Sequence, residues 1–235
     1  MALDVKSYYD SYWRDRDLPC TEARSRERAA IAVDLLCARK ANAAGRLLDL
    51  GCGPGLSLRV FRDAGYDAAG ADASAVAVDE VRKLGFPAEL LDLENDSLAP
   101  LMALLDALPQ SVVALEVLEH LVDPCGFLER LRAVLPQDAA LVVSLPNEIH
   151  LLARLRVLWG RLPFGGHADP HLRHFDRPQA LALFAAAGYR VAAAKAVHML
   201  PPRYGGLRSL TQPALWLAPG CFSLATVYLL EAESK

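Results

Sequence analysis

The stretch that most constrains this chain is Leu47-Leu48-Asp49-Leu50-Gly51-Cys52-Gly53-Pro54-Gly55. A short apolar run passing into a glycine-dense turn is how a buried parallel strand hands over to a helix. Gly51, Gly53 and Gly55 allow positive φ and a close approach of backbone to a ligand. After the turn, Leu56, Val60 and Phe61 recur at helical spacing, which puts the turn at a helix N-terminus. Unpaired N–H groups and the positive end of the helix dipole gather there.

Two kinds of nucleotide site share this geometry. The dinucleotide fingerprint is G-x-G-x-x-G, whose third glycine leaves room for a pyrophosphate. Here the spacing is G-x-G-x-G, and Asp49 stands two residues ahead of the first glycine. A carboxylate there repels a pyrophosphate but pairs with an ammonium, which favours a cofactor with a cationic amino-acid end. Some twenty residues on, Tyr66 to Asp72 reads as a second strand ending in an acid. A carboxylate so placed accepts hydrogen bonds from ribose hydroxyls. The Asp49–Gly55 stretch resembles motif I of the class I S-adenosylmethionine-dependent methyltransferases, with Asp72 and Glu116–His120 as further points of likeness.

That resemblance implies a Rossmann-like α/β fold: a doubly wound, mostly parallel seven-stranded sheet whose last strand is antiparallel between strands five and six. It implies S-adenosyl-L-methionine as cofactor. Asp49, Gly51, Cys52, Gly53 and Gly55 would pass its methionine end, Asp72 with Ala73 its ribose, and Asp92 with Leu93 its adenine; Glu116 completes the expected cofactor-binding set.

At 235 residues the chain fits one α/β domain spanning 1–235, with 1–44 as an N-terminal helical cap. A net charge of −3 gives no general attraction to nucleic acid, so DNA is not expected and RNA is disfavoured. No apolar run reaches the length of a membrane span, and the N-terminus has no signal pattern. Five cysteines, Cys20, Cys37, Cys52, Cys125 and Cys221, lack metal-type spacing and read as reduced thiols in a cytoplasmic protein.

The remaining elements follow in order. Tyr8-Tyr9-Asp10-Ser11-Tyr12-Trp13 is either a docking patch for an N-terminal helix or a flap over the site. Ala23–Arg39 is helical in pattern and leads through Asn42 into the first strand. Ser74 caps a helix carrying Val78 and Val81, Phe86–Leu91 is a third strand, and Leu98–Leu108 has helical spacing. Ser111–Glu116 and Ala139–Leu145 are strands four and five, with a proline-started helix from Asp123 between them. Arg177-Pro178 opens a helix with Ala180, Leu181, Phe184 and Ala187 inward and Gly188 as its stop. Tyr189–Val197 and Phe222–Glu231 are the last two strands.

Glu116, Glu119 and His120 bring polar groups to the carboxyl edge of strand four, where open α/β sheets bind ligands. Three readings stay open. The acids and the histidine orient the loop; or His120 is a general base, since imidazoles change charge near neutral pH; or the E-x-x-E-H set holds a divalent cation. The same spacing is similar to that of ubiquinone-pathway O-methyltransferases and small-RNA 2′-O-methyltransferases, where it resembles a metal site. His171, in His171-Leu172-Arg173-His174-Phe175, would then join Glu116, Glu119 and His120. The assignment adopted is His120, Glu116 and Glu119 as catalytic residues without a metal.

Acceptor recognition is expected in two insertions, 148–175 and 198–220. The first pairs leucines and Trp159 with Arg154, Arg156 and Arg161, then breaks at Pro163-Phe164-Gly165-Gly166-His167. His150, His167, His171 and His174 fall within 25 residues, so one or two should reach the site. The second is apolar, suited to an acceptor wall, a homodimer contact or a membrane surface. The expected activity is methyl transfer to a small-molecule acceptor, O-methylation preferred. The rivals are a cofactor-binding regulator without turnover, an RNA 2′-O-methyltransferase-like enzyme and an NAD-dependent enzyme.

Overall fold

The computed structural model describes residues 5–14, 18–39, 45–105, 107–163 and 170–233. Asn42, the break at Phe164–His167 and the side chain of Cys20 lie outside the described residues.

Two helices come first, α1 (Val5–Arg14) and α2 (Leu18–Ala38), followed by β1 (Arg46–Leu50) and α3 (Leu56–Asp63). Next are β2 (Asp67–Asp72), α4 (Ala75–Lys83), β3 (Ala88–Leu90) and β4 (Ser111–Leu115). The chain continues through α5 (Pro124–Val134), β5 (Ala140–Pro146), α6 (Leu151–Leu158), α7 (Arg177–Ala186) and β6 (Tyr189–His198). It closes with α8 (Gly205–Leu217), α9 (Pro219–Phe222) and β7 (Ser223–Ala232).

The seven strands form one sheet in the order β3-β2-β1-β4-β5-β7-β6. β1 pairs in parallel with β2 and β4, and β7 runs antiparallel between β5 and β6. The order reverses between β1 and β4, so a crevice opens outside their carboxyl ends. Alternation along β1 feeds both faces: Leu48 and Leu50 pack with Phe127, Leu128, Leu131 and Phe184, whereas Leu47 packs with Leu36, Phe61 and Val81. Helices therefore cover both faces of a sheet whose central strands are mostly apolar, with Asp49 the buried acid among them.

Local chemistry sets the helix starts. Gly55 caps α3 in a left-handed conformation (φ 82°), and Ser74 accepts the Ala77 N–H at the head of α4. Asp123 accepts from Gly126 N–H ahead of Pro124, and Asp176 with Gln179 forms a reciprocal capping box on α7.

Two expectations are corrected. The helix over Leu98–Leu108 is only a 3₁₀ turn at Ala99–Ala103, with Leu101 N–H bonded to Leu98 O and Leu104 N–H to Leu101 O. Leu98, Leu101 and Leu105 are buried as an amphipathic helix would bury them, but Pro100 and Pro109 leave too short a run for α propagation. Leu181 on α7 faces outward, leaving Ala180, Phe184 and Ala187 to fill the core. The 198–220 insertion is mostly helical despite Pro213, because α8 lies on the surface and loses only one backbone bond there.

Candidate active site

The glycine turn builds the floor of the crevice. Gly51, Gly53 and Gly55 all have left-handed φ, at 69°, 52° and 82°. A Cβ on Gly51 would stand 2.6 Å from Val117 Cγ2, and one on Gly53 2.7 Å from the Trp13 ring. Only glycine fits this turn. Cys52 contributes backbone alone: its thiol points inward against Gly70, where burial pushes its pKa well up.

Two carboxylates flank the turn. Asp72, at the end of β2, accepts from Gly53 N–H (2.8 Å) and Ser74 N–H (2.9 Å), so it clamps the turn to the next helix. Ala73 follows it, half-buried. Asp49 is 1% exposed, and its Oδ2 has no hydrogen-bond partner. Burial pushes its pKa up to about 7, against a hydrogen bond from Ser57, and burial raises Asp72 to about 6. Asp49 thus keeps one buried carboxyl oxygen unpartnered below the glycine turn, an arrangement that suits a cationic partner.

Asp92 lies on the third side, buried beyond β3. Its carboxylate accepts from Glu94 N–H and the Asn95 amide, each at 2.9 Å. Leu93 packs into the core beside Leu91 and Leu118.

Beyond β4 the backbone turns at Glu116, the one non-glycine residue with positive φ (58°) among those described. Its carboxylate accepts from Ser144 Oγ (2.7 Å), and Ser144 Oγ accepts in turn from Glu116 N–H (2.9 Å). On its other side lies Arg28 of α2, 3.5 Å away, whose Nε is buried without a partner. Glu116 is thereby tied away from the group its sequence spacing suggested.

The group that does converge is Glu119, His120 and His171, whose ligand-capable atoms lie within 4.8 Å of one another. A backbone clasp brings them together: Glu119 O accepts from Leu172 N–H (2.8 Å) and Arg173 N–H (2.9 Å). His120 Nδ1 lies 3.1 Å from Pro170 O and His171 Nδ1 3.0 Å from Glu148 Oε1. His174 Nδ1 also binds the Glu148 carboxylate. Because a carbonyl or carboxylate only accepts, these imidazoles donate through Nδ1, and a neutral ring so bonded has Nε2 as its acceptor nitrogen. Glu119 is fully buried and neither oxygen has a hydrogen-bond partner; burial and then Glu116 push its pKa well up.

Over this crevice lies α1. Asp10 accepts from Ser74 Oγ (2.6 Å) and Val76 N–H, Trp13 rests on Gly53, and the Tyr9 ring meets His120 edge-on at 6.2 Å. Burial raises the Tyr9 phenol well above its usual range, with Asp72, Glu119 and Asp92 adding to it. Tyr9 therefore stands among the residues expected at the ribose, the adenine and the acceptor.

Sequence reasoning did not find Arg28 or Glu148. Both are ordinary polar residues in sequence, and their partners lie on other elements. Of the remaining histidines, His150 caps α6 through the Ala153 N–H (3.3 Å), and His167 lies outside the described residues.

Comparison with known proteins agrees with this geometry. The profile of a methyltransferase domain family matches residues 12–194. A ubiquinone biosynthesis O-methyltransferase of Xanthomonas campestris pv. campestris is 26% identical over 186 residues, covering 77% of this chain and 76% of its own. Among solved structures, magnesium protoporphyrin IX methyltransferase of Synechocystis PCC 6803 with bound S-adenosylhomocysteine superposes with a TM-score of 0.63 at 16% identity, covering 98% of each chain. The 1,6-didemethyltoxoflavin-N1-methyltransferase of Burkholderia thailandensis gives 0.63 at 18% identity, over 98% of this chain and 88% of that one. At such identities these structures speak to the fold.

Proposed function

The chain belongs to the methyltransferase domain family, and from that premise we propose that it transfers a methyl group from S-adenosylmethionine to the oxygen of a small-molecule acceptor. The observation that carries the cofactor reading is Asp49: a buried carboxyl with an unpartnered oxygen, beneath a turn where only glycine fits. This is the complement of an ammonium-bearing methionine end. Arg28, with its buried unpartnered Nε, is placed to take the carboxylate of the same end. Asp72 faces the ribose, Asp92 the adenine amino group, and α1 excludes water from above.

The cofactor supplies an electrophilic methyl on a sulfonium; the protein's part is position and proton removal. His120, its Nδ1–H donated to Pro170 O, presents Nε2 as the base. That nitrogen would take the proton the acceptor oxygen gives up when it is methylated. Preference for oxygen rests on similarity to the ubiquinone biosynthesis enzyme. Calorimetric titration with S-adenosylhomocysteine tests the cofactor assignment: Asp49→Asn and Asp72→Asn should each weaken binding tenfold or more, on the order of one charge-assisted hydrogen bond. Equal affinity in all three proteins would overturn it.

Glu119 favours a second reading. A buried carboxylate with no hydrogen-bond partner, close to two imidazoles tuned by acceptors at Nδ1, suits a divalent cation. Glu119, His120 and His171 would hold it, Glu148 would orient His171, and the ion would acidify an acceptor hydroxyl. Glu116 would stand outside the ligand set. Manganese binding followed by electron paramagnetic resonance, present in the wild type and lost in Glu119→Gln and His171→Ala, would support the cation. A free-ion spectrum in the wild type would remove it.

A further inference from the structure

Two exposed helices leave the same edge of the sheet. α6 follows the carboxyl end of β5, and α8 follows that of β6, which runs in the same direction because both are antiparallel to β7. This is also the edge that bears the glycine turn, Asp72 and the Glu119 cluster. Asn147, just before α6, donates its side-chain amide to Gly220 O of α9 (3.1 Å) and Ser223 O of β7 (3.0 Å), and α9 packs against both α6 and α8.

Their outer surface is unlike the rest of the molecule. Leu158, Trp159, Leu162, Leu210, Trp216 and Leu217 are between 72% and 87% exposed. The final turn of α6 has no side chain reaching the core, since residues 156–162 are all exposed. Scattered apolar residues need no explanation, but leucine and tryptophan massed on two neighbouring helices do. Charge follows the same division. Residues 149–163 and 199–222 hold Arg154, Arg156, Arg161, Arg203 and Arg208 and no acid, so the rest of the chain carries all 28 acids against 20 of the 25 Lys and Arg. Arg208 turns inward to Glu27; the other four are exposed.

We propose that the α6–α8 face docks on an anionic lipid bilayer, with leucine and tryptophan entering the interface and the arginines meeting phosphate headgroups. Tryptophan and leucine flanked by arginine are the composition of an interfacial helix, and each arginine at an anionic surface strengthens partition about fivefold. A second copy of the chain is the poorer occupant. An isologous contact would set this acid-free face against itself, arginine opposite arginine. Docking would hold the crevice against the membrane, where an apolar acceptor enters without crossing water. The proposal does not depend on the identity of cofactor or acceptor, because vesicle binding needs neither.

Flotation of the full chain with vesicles tests it. Binding is expected to equimolar phosphatidylcholine–phosphatidylglycerol and to fall sharply with salt and with phosphatidylcholine alone. Arg156→Gln with Arg161→Gln should weaken partition on the order of twenty- to thirty-fold. Leu158→Glu with Leu210→Glu should abolish it, while S-adenosylhomocysteine affinity and the thermal midpoint, which report the site and the fold, stay at wild-type values. Three results would overturn the proposal: no flotation with anionic vesicles, equal flotation with both compositions, or a dimer in sedimentation that the Leu158→Glu, Leu210→Glu variant dissociates.

Discussion

Gly51 shows how narrowly single residues are specified at the site. Its φ of 69° and the 2.6 Å approach of Val117 Cγ2 make Gly51→Ala both strained and overpacked. That variant should lose about 1–3 kcal/mol of stability, read from urea denaturation, and should bind S-adenosylhomocysteine more weakly. Asp49 makes a pH prediction of definite sign. Its pKa of about 7 means the ligand-free protein is half protonated there at neutral pH and mostly protonated below it, whereas an ammonium needs the ionised form. Cofactor affinity should therefore be level above pH 8 and fall as pH drops through 7, approaching tenfold per unit by pH 6–5. Calorimetry in two buffers should register proton release near pH 6.5, and Asp49→Asn should flatten the profile. Motif residues of this kind were legible in sequence because φ, spacing and charge are local properties. Arg28 and Glu148 were not. One matters through Glu116 and the other through His171, and nothing along the chain announces either pairing.

At the scale of elements, helix ends were read well and helix existence less so. Ser74, Asp123 and Asp176 cap as their residue types require, since a cap is decided within four residues. Ser74→Ala should cost about 1 kcal/mol in thermal denaturation and leave Asp10 held by Val76 N–H without the serine hydroxyl. The Leu98–Leu108 segment failed because apolar spacing reports burial, and a 3₁₀ turn can bury the same leucines. Helix α1 has no fully buried residue, so it is held over the crevice by contacts such as Asp10–Ser74 and Lys6–Asp96 rather than by a core. Asp10→Ala should therefore leave urea stability within about 1 kcal/mol of wild type. Stopped-flow fluorescence should at the same time show faster release of S-adenosylhomocysteine.

For the whole molecule, burying Asp49 and Asp72 opposes folding once they ionise. Their folded pKa values, about 7 and about 6, stand above the ordinary value of 3.8, so the folded state binds more protons between these limits. Stability of the ligand-free protein should then fall as pH rises through that window, by about 1 kcal/mol from pH 6 to 7 from Asp49 alone. Differential scanning calorimetry would register a higher midpoint at pH 6 than at pH 8, and saturating cofactor should shrink the difference. Asp72 offsets part of that cost by accepting from Gly53 N–H and Ser74 N–H, whereas one oxygen of Asp49 has no partner. By itself the sequence determined the strand–turn–helix at Asp49–Gly55, the run of buried strands and most helix starts, since each follows from periodicity or φ within a few residues. The tertiary structure alone decided which polar groups meet. His120 finds Pro170 O fifty residues away, the Glu119 carbonyl clasps Leu172 and Arg173, and Glu116 is drawn off to Arg28 and Ser144. Those choices rest on backbone hydrogen bonds and burial between distant segments, which become defined only when the sheet has brought its loops to one edge.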